Sequence, residues 1–359
     1  MGMRFDLSSN DPTDHQLQSR SEDGLQAMST RKNLELTLAI SDYDHVRDLI
    51  SGVVPVEGVD LTCLEYPVEE IFFRFTLLRE WQVSELSLAK YSSLRANGDE
   101  SVIAIPVFPS RAFRHSAIFV RDDGPIDQPP SLVGRRIGIP EWTQTATVYA
   151  RALLAESYGV ELTSVEWVQA GTNEPGRIEG VPVRLPDGVE VTPVRDRSLN
   201  ELLVAGEIDA VIAAHPPAEF LNGSGRIVRL FSDYRAVEAQ YFRDTGIFPI
   251  MHVVVLRADV HEAHPWVAMN LVTAFEEAKR RSVQRVLDAN VPRFPVPWGS
   301  AQAEAAQVLF GRDFWPYGIE DNRTTLSHFL RYAYEQGVCA RRLEPEDLFA
   351  PQVQIVYRI

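Results

Sequence analysis

Two cysteines in 359 residues, Cys63 and Cys339, leave this chain without a disulfide framework, a CxxC pair or a zinc spacing. A pair of reduced, intracellular thiols is the expectation. Long apolar runs are missing too, and nothing approaches the roughly 20 residues that a membrane-spanning helix needs. The first 30 residues contain no apolar core of an export signal. They are polar and aperiodic, so we read 1–30 as a disordered tail and expect a cytoplasmic protein. Positive charge is scarce: 35 Lys plus Arg against 50 Asp plus Glu, a net −15. Such a field repels nucleic acid and anionic lipid, so neither is expected as a partner. No G-x-G-x-x-G opens a helix after a strand, no G-x-x-x-x-G-K-[ST] occurs, and no G-x-S-x-G elbow appears. Nucleotide binding and serine hydrolysis lose their usual fingerprints.

What is present is alternation. Leu34–Ile40 alternates as a strand does, and 42–50 looks helical. Residues 59–64, 83–88 and 102–107 read as further strands, separated by helical stretches that begin at Pro67 and Ala89. A polar, proline-rich break at 121–130 suits a crossover between lobes. Beyond it come strands at 136–140, 165–168 and 208–212, a helix at 143–158, and another at 198–206 ending in glycine. Leu185-Pro-Asp-Gly-Val189 reads as a hairpin-type turn. His252–Leu256 is strongly β-branched and is placed back in the first lobe, with the amphipathic segment 265–288 and the C-terminal helices. At 359 residues the chain exceeds one hydrophobic core. The expectation is an α/β protein of two lobes, with mainly parallel sheets and a cleft between them. Lobe 1 is 31–120 plus 246–359, and lobe 2 is 121–245.

Against the acidic background, cations gather in particular places. Arg111, Arg114 and His115 crowd the approach to an apolar strand. A guanidinium fork matches a carboxylate, so Arg111 and Arg114 are candidate substrate ligands, although pairing with surface acids is the plainer use. Thr143, Gln144 and Thr145 open a helix, where hydroxyls and backbone N–H groups can take an anion or simply cap the helix. Glu141 beside them is a candidate base or a salt-bridge partner. Arg177 lies in a loop of turn formers and reaches a second carboxylate if that loop enters the cleft. His115, His215 and His252 are candidate proton carriers, with hydrogen-bonded structural histidines as the alternative. Tyr241 and Thr245 offer hydroxyls. His261 and His264 stand one helical turn apart but lack HExxH and a third ligand, so we read them as structural. No metal ligand is assigned, and the sequence leaves a divalent metal open.

Several stretches resemble one family. They are FPSRAFRHSAIFV (108–120), LVGRRIGIPEWTQTATVYARALL (132–154), GTNEPGRIE (171–179), GEIDAVIAAHPP (206–217), TGIFPIMHVVV (245–255) and DFWPYG (313–318). The chain resembles the 4,5-dihydroxyphthalate decarboxylase family, whose fold is that of the type 2 periplasmic solute-binding proteins. The resemblance implies that a small aromatic dicarboxylate loses one carboxylate, giving protocatechuate and carbon dioxide without an organic cofactor. It supplies no settled catalytic set. A solute-binding protein or a cytosolic sensor for an aromatic carboxylate is the alternative that the fold leaves open. A homodimer through the C-terminal helices is a further expectation.

Overall fold

A computed structural model describes residues 32–181 and 183–354. The expected 1–30 tail lies outside the described residues. In chain order the elements begin β1 (Leu34–Ile40), α1 (Arg47–Ile50), β2 (Val59–Glu65), α2 (Val68–Leu78), β3 (Val83–Ser87), α3 (Leu88–Ala96) and β4 (Val102–Ile105). They continue with β5 (Ile118–Arg121), β6 (Arg136–Ile139), α4 (Thr145–Tyr158), β7 (Glu166–Gln169), β8 (Val191–Pro193), α5 (Leu199–Val204), β9 (Ala210–Ile212), α6 (Ala218–Leu221), β10 (Ile227–Arg229) and α7 (Tyr234–Thr245). The chain then runs through β11 (His252–Arg257), α8 (Ala258–Ala263), α9 (Trp266–Leu287), α10 (Gly299–Phe310) and α11 (Arg323–Glu335).

Two sheets result, one for each lobe of the α/β fold. The first has the order β2-β1-β3-β11-β4, the second β10-β5-β9-β6-β7-β8. The parallel pairs β1–β3, β9–β6, β6–β7 and β7–β8 follow from the strand–helix alternation. β11 departs from that pattern. It returns from the second lobe and runs antiparallel between β3 and β4, with Val254 opposite both Glu85 and Ile105. Val253 to Leu256 are completely buried, as a strand covered on both faces requires.

Two local expectations are corrected. Ile118–Arg121 pairs with β9 and β10, so it belongs to the second sheet rather than to the end of the first lobe. The chain crosses earlier, between β4 and β5, and the proline-rich stretch after Arg121 is a surface connection within the second lobe. The Pro186–Val189 turn exists, with Gly188 at φ +79, but it joins no antiparallel pair. β8 lies parallel to β7 instead.

The two crossovers lie against each other. Arg111 and Ile250 form an antiparallel bridge, Ala112 N donates to Pro249 O at 3.2 Å, and Met251 N donates to Ser110 O at 2.8 Å. The segment between the sheets is therefore a short two-stranded ribbon rather than a pair of free linkers. Behind it, α9 presents Val267, Leu271, Ala274, Phe275 and Ala278 at helical spacing to the first lobe. Asp48 of α1 ties α9 down through Arg281 at 2.6 Å and Arg285 at 2.8 Å.

In the second lobe, Phe119, Val168, Leu199, Leu203, Ile208 and Val211 form one core. Gly138 of β6 lets that core close. A Cβ there would stand 2.6 Å from Leu199 Cδ2 and 2.8 Å from Ile208 Cδ1, both on fully buried side chains. Gly138→Ala overpacks this contact and is expected to destabilise the protein by about 1–3 kcal/mol in thermal or urea unfolding. An unchanged transition would show that α5 has room to move.

Candidate active site

The sequence grouped Arg111, Arg114 and His115, and the fold separates them. Arg111 is buried in the ribbon. Its guanidinium donates to Phe248 O at 3.1 Å, Pro316 O at 2.6 Å and the Asn322 side-chain oxygen, and it lies over the rings of Phe108 and Phe248. Burial lowers its pKa to about 10, so it remains charged at neutral pH. It staples the crossovers to the DFWPYG loop through the Pro316 carbonyl. His115 is enclosed by Phe231, Tyr241 and Tyr158, with ring centroids at 5.1, 5.2 and 6.2 Å. Burial lowers its pKa to about 4, so it packs as a neutral ring. Tyr241 belongs to that aromatic cage. Thr245 donates to Tyr241 O at 2.7 Å and accepts from Ile247 N at 3.1 Å, which closes the end of α7.

Arg114 differs. Among the described residues its guanidinium finds one hydrogen-bond acceptor, Met251 Sδ, at 2.6 and 3.2 Å, and no carboxylate within 4.0 Å. Thioether sulfur is a weak acceptor. Burial lowers the pKa of Arg114 to about 10, again leaving a cation at neutral pH.

The residue after Met251 is His252, at the start of β11. Its Nδ1 lies 2.6 Å from Glu85 Oε1. The Tyr43 hydroxyl donates to the same oxygen at 2.7 Å, and Ser41 N donates to Oε2 at 3.0 Å. Phe72 of α2 meets the imidazole edge-on at 4.8 Å. The His252 side chain keeps 16% exposure while Glu85 has none. Glu85 and Tyr43 escaped the sequence reading. A glutamate inside the apolar strand Val83-Ser-Glu-Leu-Ser87 was the available signal, since a charge there needs a buried partner.

From the second lobe the start of α4 faces this edge. Thr145 Oγ1 accepts from Ala89 N at 3.0 Å and lies 2.9 Å from Ser87 Oγ, so it joins the lobes. Thr143 does not stand open to a ligand. Glu179 takes Trp142 N at 2.7 Å, Thr143 N at 3.1 Å and the Thr143 hydroxyl. The anion seat at this helix start is filled by the chain's own carboxylate, whose pKa burial pushes up. Glu141 is doubly engaged, with Arg177 at 2.7 Å and Lys90 of the first lobe at 3.3 Å. Arg177 does reach the cleft, on the loop that carries Glu179, but it arrives paired. Gln144 Oε1 is buried and has no partner among the described residues. Beneath Trp142, the buried Arg151 lies 3.7 Å from the indole ring and donates to Trp142 O and Gln336 Oε1.

His215 bonds Glu69 of α2 across the lobes at 2.7 Å. Arg177 and Arg114 both lie within electrostatic reach of its ring. Glu69 and Phe72 stand three apart on one helix, so α2 touches both histidines. His261 bonds Gln352 at 2.9 Å and His264 ends α8, in keeping with structural roles. Cys63 and Cys339 are both free. Among the described residues no group of three or more His, Cys, Asp or Glu could hold a metal ion, and no helix is long and apolar enough to cross a membrane.

Two sheets joined by paired crossovers define a two-lobed type 2 periplasmic-binding-protein-like fold, with cations and histidines at the junction. Solved structures share this architecture. The desulfurization enzyme DSZB superposes with a TM-score of 0.51 at 17% identity, covering 90% of this chain and 98% of that one. The periplasmic aliphatic sulphonate binding protein SsuA from Escherichia coli gives 0.51 at 11%, covering 89% and 99%. At sequence level, the 4,5-dihydroxyphthalate decarboxylase of Comamonas testosteroni is 40% identical over 319 residues, 89% of this chain and 97% of that protein. The enzyme of that name from Pseudomonas putida is 38% identical over 211 residues, 58% of this chain and 82% of its own length. No family model matches the chain. This chain belongs to the 4,5-dihydroxyphthalate decarboxylase family.

The Glu69–His215 contact is expected to weaken as pH rises. The hydrogen bond to Glu69 raises the pKa of His215, and the same bond lowers Glu69 to about 2. The cation therefore favours the closed pair below the ordinary histidine range, and that contribution fades as pH rises through the raised value. Small-angle scattering between pH 6 and 9 is expected to show the lobes opening with rising pH. His215→Ala is expected to flatten that dependence, and a profile identical to wild type would remove the pair from closure.

Proposed function

We propose that the protein decarboxylates 4,5-dihydroxyphthalate to protocatechuate and carbon dioxide in the cleft between the lobes. The observation that carries this reading is Arg114: a cation at the crossover whose one acceptor among the described residues is the thioether of Met251, the residue before His252. A benzene dicarboxylate supplies the oxygen acceptors that Arg114 lacks. The retained carboxylate pairs with Arg114, and the Gln144 amide oxygen accepts from a ring hydroxyl.

The hydroxyl para to the leaving carboxylate donates electron density to the carbon bearing that carboxylate. His252 protonates this carbon, aromaticity is lost for a moment, and the C–C bond breaks as the ring recovers. One proton is consumed for each carbon dioxide released. Positioned general acid catalysis supplies about 10²–10⁴-fold. Glu141 is held by two cations and His115 by an aromatic cage, so we assign neither of them a proton transfer.

No organic cofactor enters this scheme, and a chelator in the assay tests a metal requirement. A cytoplasmic location, a homodimer, and lobes that meet at 106–117 and 246–251 belong to the same proposal. Incubation with 4,5-dihydroxyphthalate is expected to yield protocatechuate by chromatography. Tight binding without product would instead indicate a receptor for aromatic acids.

Arg114→Ala is expected to raise KM about 10–100-fold, the worth of a hydrogen bond to a charged group. Arg111→Ala is expected to act differently, lowering the unfolding midpoint because it unlinks the crossovers. If Arg114→Ala left KM unchanged, the carboxylate seat would lie elsewhere.

A further inference from the structure

Glu85 has no solvent exposure and stands in the middle of β3, where an unpaired carboxylate would be costly. Three donors converge on it: Ser41 N on Oε2, and the Tyr43 hydroxyl and His252 Nδ1 on Oε1. An ionised carboxylate only accepts hydrogen bonds, so the proton at the 2.6 Å contact belongs to Nδ1. The exchangeable nitrogen of His252 is then Nε2, which makes no hydrogen bond among the described residues. The ring cannot swing freely, because Phe72 abuts it and the Tyr43 hydroxyl lies 3.3 Å from Nδ1.

We propose that Glu85, seconded by Tyr43, is the positioning residue of the reaction: it holds His252 in the Nδ1–H form and makes Nε2 the atom that hands a proton to the substrate ring. This deepens, and rests on, the decarboxylase reading above.

The step balances as follows. The Nε2–H bond of the imidazolium breaks and a C–H bond forms at the carbon bearing the departing carboxylate. The electron pair of the breaking C–C bond returns to the ring as carbon dioxide leaves. Imidazole remains neutral, with its one proton on Nδ1 still bonded to Glu85, and solvent reloads Nε2. Glu85 thus matches the charge of the imidazolium before transfer and the tautomer after it. Burial and the neighbouring Glu85 push the Tyr43 phenol well above its ordinary value, so it stays protonated as a donor to Oε1.

The test joins a readout that needs no turnover with one that does. In ¹⁵N-histidine NMR of the unliganded protein, His252 is expected to carry its proton on Nδ1 once the ring is neutral. In Glu85→Gln the amide cannot accept from both Ser41 N and His252 Nδ1, so the proton is expected to move to Nε2. On the decarboxylase reading, kcat falls about 10²-fold or more while KM changes less than about threefold. Glu85→Asp keeps a carboxylate and is expected to recover part of that loss. Should Glu85→Gln not fold, Tyr43→Phe and the wild-type spectrum carry the test, with a smaller fall in kcat expected for Tyr43→Phe.

A wild-type His252 protonated on Nε2 when neutral would overturn the proposal, as would a Glu85→Gln enzyme with unaltered kcat. A tautomer shift in Glu85→Gln together with a wild-type protein that never decarboxylates would uphold the positioning role and defeat the decarboxylase reading alone.

Discussion

The structure depends on the pairing of its two crossovers. The bridge between Arg111 and Ile250, with the flanking bonds from Ala112 and Met251, turns two linkers into one ribbon. The buried guanidinium of Arg111 then ties that ribbon to backbone carbonyls of the DFWPYG segment and to Asn322. Every principal group of the site is measured from this junction. Arg114 lies three residues beyond Arg111, and His252 two beyond Ile250. On the proposed reading, this ribbon fixes the backbone from which Arg114 and His252 project. Catalysis by placement requires such a rigid origin.

Charge is distributed economically around that origin. In a chain of net −15, cations near the cleft are for the most part committed to acids. Arg177 and Lys90 share Glu141, and His215 takes Glu69. The start of α4 is neutralised by Glu179. These pairs do structural work at the lobe boundary: Lys90–Glu141 and His215–Glu69 each span it. Arg114 differs from these pairs, because its acceptor among the described residues is a sulfur, with Glu238 acting on it only through its field. The contrast gives Arg114 its weight, since a cleft lined by many loose cations would not distinguish one carboxylate from another.

Much of the architecture was legible in the sequence. Strand–helix alternation marked β1 to β4, the helix N-termini at Pro67 and Ser198, and the β-branched return at His252. The misplacement of Ile118–Arg121 has a simple cause. A proline-rich stretch looks like a linker, whereas the segment between β4 and β5 carries its own ribbon pairing, which no local pattern reveals. Of the residues proposed for the site, His252 and Arg114 were picked out because their types announce their chemistry. Arg111 was of the right type but the wrong fate, since a guanidinium can be satisfied by carbonyls that no local pattern reveals. Glu85, Tyr43, Glu69 and Glu179 went unnoticed because their meaning lies in partners 36 to 167 residues away. Only Glu85 left a local trace, as a charge inside an apolar strand.

The same geometry bears on which carboxylate leaves. A binding protein for a dicarboxylate would gain by offering a cation to each group. On the proposed reading the retained carboxylate takes Arg114, while Arg177 and Lys90 share Glu141 and His215 takes Glu69. On that reading the leaving carboxylate meets only cations that already hold an acid. Departure as neutral carbon dioxide relieves that mismatch, whereas the carboxylate on Arg114 is held in place. Differential stabilisation of this kind lowers a barrier where uniform binding would not.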